Sequence, residues 1–225
     1  MPSPDDVRRM FSRLAPRYDV FNRWASLGLH AFWRKRVVDR LHAGEDVLDL
    51  GCGTGDLALL AADKGCRVVG LDFSEEMLEI ARRRGLHLEW IRAEASRIPL
   101  PDGRFDAIVS AFLLRNLYRS GAWDVTLTET GRLLKKGGRL IFLDLSLPGN
   151  PLLRLGHAVY LRTILPLVGR IAAGARWPGR YLTASIEEFP PASAIRVSLE
   201  SAGFQDPGIE SFCGGVVSLV TAIKT

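Results

Sequence analysis

A chain of 225 residues, 47% hydrophobic and 24% charged, suits one large domain or one domain with an elaborated cap. No apolar run reaches the roughly 18 residues of a membrane span, and the polar start Met1-Pro-Ser-Pro-Asp-Asp6 shows no secretory signal. Cys52, Cys66 and Cys213 are odd in number and lack metal-like spacing, so they read as buried thiols of a cytoplasmic protein, not a disulfide framework. The net charge of +5 is uneven: Arg154, Arg162, Arg170, Arg176 and Arg180 fall between Asp144 and Glu187, where no acidic residue occurs. Such a stretch suits a membrane surface, a nucleic acid or an acidic ligand, or else the solvated faces of helices. No nucleic-acid-binding signature accompanies it, so no nucleic-acid partner is expected.

Residues 1–42 read as a helical cap. Val7, Met10, Phe11 and Leu14 recur at helical spacing before Pro16 interrupts them. From residue 43 the pattern becomes strand, loop, helix. Strands are expected at 47–50, 67–71, 88–92, 107–111 and 140–144, and helices at about 56–64, 75–84 and 122–135. Ser74 precedes an apolar stripe as an N-cap, and Gly137-Gly138 reads as the stop of the third helix. Residues 147–190 break the alternation and read as inserted helical material over a substrate site. A helix at 193–202, stopped by Gly203, leads to strands at 208–212 and 216–223 paired as a hairpin around Gly214-Gly215. The expected fold is α/β: a doubly wound, mostly parallel, seven-stranded sheet with N-terminal helices and a helical lid.

In such sheets ligands bind at the carboxyl ends of the strands. Asp49, Asp72, Glu94 and residues 111–116 all sit there, beside the loop Gly51-Cys52-Gly53-Thr54-Gly55. A glycine loop opening a helix brings backbone N–H groups close to a ligand. Asp56 stands where a dinucleotide fingerprint has its third glycine, and Asp49 would repel a pyrophosphate. The ligand that fits is S-adenosylmethionine, which has a ribose diol, an ammonium and a sulfonium but no phosphate. Asp72 would accept the ribose hydroxyls, or else cap a helix. Asp49 would orient the loop and attract the cationic methionine end. Glu94 and Ala95 would read the adenine, or else lie on the surface.

Leu48-Asp-Leu-Gly-Cys-Gly-Thr-Gly-Asp56, Gly70-Leu-Asp-Phe-Ser74, Ile98-Pro-Leu-Pro-Asp102 with Phe105-Asp106, and Lys136-Gly-Gly-Arg-Leu140 resemble class I S-adenosylmethionine-dependent methyltransferases. Narrower segments are Phe11 with Ala15-Pro-Arg-Tyr18-Asp19 and Asn22, Leu29-His30 with Trp33-Arg34, Leu114-Arg115-Asn116, and Tyr181-Leu182 with Ser185-Ile186 and Phe189-Pro190. These resemble the ubiquinone/menaquinone biosynthesis C-methyltransferase family, from about residue 7 to residue 220. The resemblance implies methylation of a ring carbon on a polyprenylated benzoquinol or naphthoquinol, demethylmenaquinol being favoured. It implies cofactor contacts at the glycine loop, Thr54, Asp72, Glu94 and Ala95, with Phe73 and Ala111 beside them. Departures are Glu94 and Ala111 for the family's usual Asp or Asn and Ser, Asp144 for its Glu, and Pro191-Ala192 for its Asp-Gln.

An aromatic carbon attacks well only from an electron-rich ring, so the acceptor should be a reduced quinol. Arg115 would stabilise the developing phenolate, Asn116 would position the hydroxyl or a water, and Tyr18 would hold the ring or relay a proton. The competing roles are an ion pair for Arg115, packing or a lid for Tyr18, and a structural place for His30, otherwise a base. His30, Phe112 and Tyr181 are expected beside the acceptor, and no residue cluster suggests a metal. Leu152, Leu155, Val159, Leu161, Ile164, Leu165 and Leu167 would line a groove for a polyprenyl tail or touch a membrane peripherally, or serve as a homodimer interface or core. Two other readings stand beside this one: a methyltransferase for a phenol or lipid amine, and a non-catalytic cofactor-binding assembly partner.

Overall fold

A computed structural model describes residues 4–174 and 179–225; Arg176 and the side chain of Arg180 lie outside the described part. The chain opens with α1 (Pro4–Leu14), a 3-10 turn (Ala15–Arg17), α2 (Tyr18–Ala25) and α3 (Leu29–Val38). There follow β1 (Asp46–Leu50), α4 (Asp56–Asp63), β2 (Arg67–Asp72), α5 (Glu75–Arg84), β3 (Glu89–Arg92) and β4 (Phe105–Ala111). After α6 (Leu114–Ser120), α7 (Trp123–Leu133) and β5 (Leu134–Leu145) come the inserted helices α8 (Pro151–Val159), α9 (Leu165–Ala173) and α10 (Gly179–Glu187). A π-helical turn, Tyr160–Ile164, joins α8 to α9. The chain closes with α11 (Ala192–Ser201), β6 (Phe204–Phe212) and β7 (Val217–Lys224).

The seven strands lie in the order β3-β2-β1-β4-β5-β7-β6. All neighbours pair in parallel except β7, which runs antiparallel to both β5 and β6. The order reverses between β1 and β4, so a crevice opens there at the carboxyl ends. β1 and β2 read as continuous apolar runs because helices cover both faces of the sheet. Leu48, Leu50, Val69 and Leu71 pack with Leu114, Leu127, Ile195 and Leu199 on one face. Val47, Val68, Val109 and Ile141 pack with Trp33, Val37 and Leu57 on the other. A third cluster, Phe21, Leu161, Leu165, Ala172 and Ile186, joins α2 to the inserted helices.

Three expectations are corrected. The third helix ends at Leu133, and β5 begins at once with Leu134 paired to Phe105. Gly137 (φ 75°) therefore serves an irregularity within β5, where the register shifts, and not a helix stop. The short helix α6 was not expected; it carries Arg115 and Asn116. Cys213 is exposed, in the turn before β7, whereas Cys52 and Cys66 are buried.

Candidate functional site

The loop after β1 turns through three left-handed glycines, Gly51 (φ 70°), Gly53 (φ 55°) and Gly55 (φ 89°). They do different work. A Cβ on Gly55 would meet the Trp90 ring at 2.8 Å, and one on Gly51 would meet Leu113 at 2.9 Å, so both positions are set by packing as well as by φ. A Cβ on Gly53 would only reach ordinary contact with the Tyr18 ring at 3.8 Å, and the Gly53 N–H donates to Asp72 Oδ2 at 2.9 Å.

Asp72 ends β2, buried. Its Oδ1 accepts the Ser74 N–H at 2.9 Å, while Ser74 Oγ accepts the Met77 N–H at 3.3 Å. Ser74, not Asp72, is thus the helix cap, as its position before the apolar stripe suggested. Burial pushes the Asp72 carboxyl up to about 6, opposed by the amides of Ser74 and Gly53. Asp49 is 1% exposed, and neither of its oxygens meets a donor in hydrogen-bond geometry. Burial pushes it up to about 7, against the Arg34 charge and the Ala58 amide. A carboxylate without a partner in such surroundings is destabilised until a cation or donor reaches it. Two buried acids beside a glycine loop therefore fit a cationic nucleoside.

Other expected contacts fall elsewhere. The Thr54 hydroxyl donates to Asp19 Oδ1 at 2.6 Å, so it ties α2 to the loop and is not turned to a ligand. Arg84 extends this tie to the Thr54 carbonyl (3.0 Å), to Asp19 (3.3 Å) and to Asp56 (2.7 Å). Glu94 is exposed and Ala95 packs against the core beyond β3; neither lines the crevice.

The crevice beside Gly51, Gly53, Asp72, Phe73, Ala111 and Asn116 has a volume of only about 40 Å³, little more than one water's share of liquid. Phe11 of α1 narrows it, edge-on to both Tyr18 and Phe73 at 6.3 Å. Ser12 Oγ donates to Glu76 Oε2 at 2.5 Å and holds α1 against α5.

A second, apolar cavity of about 460 Å³ adjoins the crevice, and the two share Phe11, Tyr18 and Phe112 in their walls. Phe112 follows β4 at φ 67°, a conformation bulky residues rarely adopt, with its N–H bonded to Leu143 O at 2.7 Å. The Arg34 guanidinium lies 5.3 Å from its ring centroid. Arg115 borders the apolar cavity from α6, itself buried. It forms an ion pair with Asp144 through Nη1, donates to Phe112 O at 3.1 Å, and its backbone N–H reaches Asp144 Oδ2 at 3.0 Å. The ion pair weighed for Arg115 is therefore real, yet its Nε remains buried without a partner. Asn116 Oδ1 accepts the Tyr181 hydroxyl at 3.1 Å, and Arg119 lies over the Tyr181 ring at 5.2 Å.

Tyr18 has its pKa raised by burial, with Arg34 and Arg115 opposing, so at neutral pH it is a donor. His30 contacts Ser26 Oγ through Nδ1 at 2.8 Å, which supports the structural place weighed for it; burial first, then Arg34, lowers its pKa. Asp144, Asp19 and the packing role of Trp90 were missed. Only Asp144 left a signal, because it ends a strand in the same layer as Asp49 and Asp72. No group of three or more potential metal ligands occurs among the described residues.

A doubly wound sheet with a switch-point crevice lined by the buried Asp72 and by the glycine loop, and with a second buried acid, Asp49, in β1, is the arrangement of a class I S-adenosylmethionine-dependent methyltransferase. Solved structures share the fold: a SAM-dependent methyltransferase from Thermotoga maritima (TM-score 0.66, 20% identity, 96% of this chain and 99% of that one) and another from Aquifex aeolicus (TM-score 0.60, 23% identity, 88% and 92%). The chain belongs to the ubiE/COQ5 methyltransferase family, whose model matches residues 3–224. Its relatives include a demethylmenaquinone methyltransferase of Thermus thermophilus, 41% identical over 87% of this chain and 91% of that protein. A ubiquinone/menaquinone biosynthesis C-methyltransferase of Hahella chejuensis is 34% identical over 97% and 91%.

The acid at position 49 has a testable cost. Its folded pKa of about 7 lies above the unfolded value of 3.8, so the folded state holds the proton longer and loses stability as pH rises from about 4 to about 7. Asp49→Asn is expected to raise the melting temperature of the ligand-free protein at pH 8, by about 2–4 °C for each kcal/mol relieved. It should leave melting near pH 4 unchanged and abolish cofactor uptake. Scanning calorimetry with and without S-adenosylhomocysteine checks this; a lower melting temperature at pH 8 refutes it.

Proposed function

We propose that this enzyme transfers a methyl group to a ring carbon of a polyprenylated quinol, with a demethylnaphthoquinol as the favoured acceptor. The observation that carries the reading is the pair of adjoining chambers, one acidic and one apolar, with Tyr18 and Phe112 common to both. The name of the Thermus relative favours the naphthoquinol head group over the benzoquinol.

When bound, S-adenosylmethionine supplies a methyl already activated on a sulfonium. The chain's own residues align the partners and exclude water. Asp72 accepts the ribose hydroxyls, and Asp49 gives the cationic end its counter-charge. Arginine is not a base in proteins. Held by Asp144 and Phe112 O, the Arg115 guanidinium instead stabilises negative charge on a ring oxygen, a preorganised donor of the kind that supplies large rate effects. Tyr18 donates to that oxygen or to a bridging water. Asn116, fixed by Tyr181, positions the hydroxyl.

The apolar chamber suits the tail. Leu27 is 86% exposed at φ 51° and Leu152 is 77% exposed, yet both line the chamber, so they form its rim. Arg154 on α8, Arg162 in the π-helical turn and Arg170 on α9 are exposed, Arg162 beside Glu187 at 3.0 Å. No described helix is long and apolar enough to cross a membrane. An apolar rim flanked by arginines supports peripheral seating on an anionic bilayer, where a polyprenyl substrate resides.

Labelled donor supplied with a demethylated naphthoquinol, a demethylated benzoquinol and a panel of phenols tests the reaction. Carbon-bound label on the reduced naphthoquinol, and none on its quinone, is the expected result; label on oxygen or nitrogen eliminates the reading. Asp72→Ala should weaken cofactor binding about tenfold or more with a smaller effect on kcat, whereas Arg115→Ala should lower kcat by about 10²–10³ with cofactor binding retained. The reverse pattern refutes these roles. Vesicles with anionic lipid should recruit the protein and release it in high salt, and equal binding to neutral vesicles would contradict the seating.

A further inference from the structure

Two consecutive residues at the start of α2 stand against two consecutive residues of the glycine loop. The Tyr18 ring lies 3.8 Å from where a Cβ on Gly53 would stand, and Asp19 Oδ1 accepts the Thr54 hydroxyl at 2.6 Å. The loop side of this joint is fixed independently of α2. The Gly53 N–H donates to Asp72 at 2.9 Å, the Thr54 carbonyl accepts Arg84 Nη1 at 3.0 Å, and Thr54 is buried. The helix side lacks the usual anchor, because Arg17 at the N-cap of α2 makes no side-chain hydrogen bond to the helix. Asp19, in the first turn, ties that end of the helix to the loop instead. Tyr18 walls both chambers, whereas Asp19 belongs to the wall of neither.

We propose that Asp19 is a positioning residue for the methyl transfer: by accepting the Thr54 hydroxyl it sets where the neighbouring Tyr18 stands between donor and acceptor. This rests on the role given to Tyr18 in the quinol reading above. The path from donor to acceptor is short. Asp72, which would hold the ribose, is bonded to Gly53; Thr54 follows Gly53 and is bonded to Asp19; Tyr18 precedes Asp19. In-line transfer is sensitive to such spacing, and a displacement of about 1 Å is enough to cost about 10² in rate. A plainer role for Asp19 is electrostatic: an acid in the first turn of a helix is favoured by its dipole, and Asp19 also meets Arg84 at 3.3 Å. The two roles need different things. The electrostatic one needs the charge, and the positioning one needs an oxygen facing Thr54.

Steady-state kinetics at saturating S-adenosylmethionine test it, with a short-tailed demethylnaphthoquinol kept reduced by dithionite as acceptor. Asp19→Ala should lower kcat by about ten- to hundredfold while the Kd for S-adenosylhomocysteine is retained, because the loop keeps its bonds to Asp72 and Arg84. Asp19→Asn loses the charge but keeps an oxygen for the Thr54 hydroxyl, and should recover most of kcat. Both variants lose the same charge, so a purely electrostatic role would move both alike. In a Tyr18→Phe background, Asp19→Ala should cost little more, since it acts through the hydroxyl already removed. An unchanged kcat in Asp19→Ala, equal losses in the Ala and Asn variants, or losses that multiply with that of Tyr18→Phe overturns the proposal. Should Asp19→Ala fail to fold, the loop partner decides: loss in Thr54→Val with recovery in Thr54→Ser supports it, and equal kcat in the two overturns it. Should the labelled panel above identify a phenol and no quinol, the quinol reading falls, and the same comparison of variants on that phenol decides this proposal separately.

Discussion

The carboxylate of Asp72 is the joint on which the site depends. With one oxygen on Gly53 N and the other on Ser74 N, it fixes the loop after β1 to the start of α5 across two adjacent strands. It binds both amides from a buried place, where a polar bond is stronger and an unmade one costs more. The same bonds leave Asp72 spare acceptor capacity, since a carboxylate offers about four lone-pair sites. Structure and recognition are thereby combined in one side chain: the group that shapes the loop is also the group that would read a diol.

Around that joint, the helical cap is bound to the loop by charge as well as by packing. Asp19 on α2, Thr54 in the loop, and Arg84 on α5 form one connected set with Asp56, and Arg34 on α3 approaches Asp56 at 3.5 Å. The described contacts of α1 beside the crevice include Ser12 with Glu76 and Ser74 and the edge contacts of Phe11.

Much of this was legible from residue order, for physical reasons. Strands buried on both faces show as apolar runs, and left-handed glycines at a strand end show as a loop. The termini of β5 were not legible, because α7 passes into β5 without an intervening turn and Gly137-Gly138 then mimics a helix stop. α6 was missed because it is one short element with no side-chain cap. The partners of Thr54 and Arg115 were also invisible: Asp19 lies 35 residues away and Asp144 29 residues away. Long-range polar pairs carry no periodicity, and only the shared position at strand ends hinted at Asp144. The expected placing of Glu94 and Ala95 followed from the end of β3, an edge strand whose last residue pairs with Asp72; the crevice wall itself is formed by other residues.

The Arg115–Asp144 ion pair is compatible with the functional role proposed for this arginine. Two charges buried together lose hydration that their attraction alone does not fully restore, so such pairs are poor sources of stability. What this pair secures is orientation: Nη1 is held by Asp144 and Phe112 O, the backbone N–H is held by the same carboxylate, and Nε is left over. A guanidinium free in solvent would have to reorganise as charge develops on a substrate oxygen; one already clamped does not. The acid also keeps the pair neutral overall, so the apolar chamber can accept a neutral quinol without confronting an isolated cation. Phe112, at its unfavourable φ, closes the arrangement by presenting its carbonyl to Arg115 and its side chain to the wall of both chambers, which places the strain at one of the residues the two chambers share.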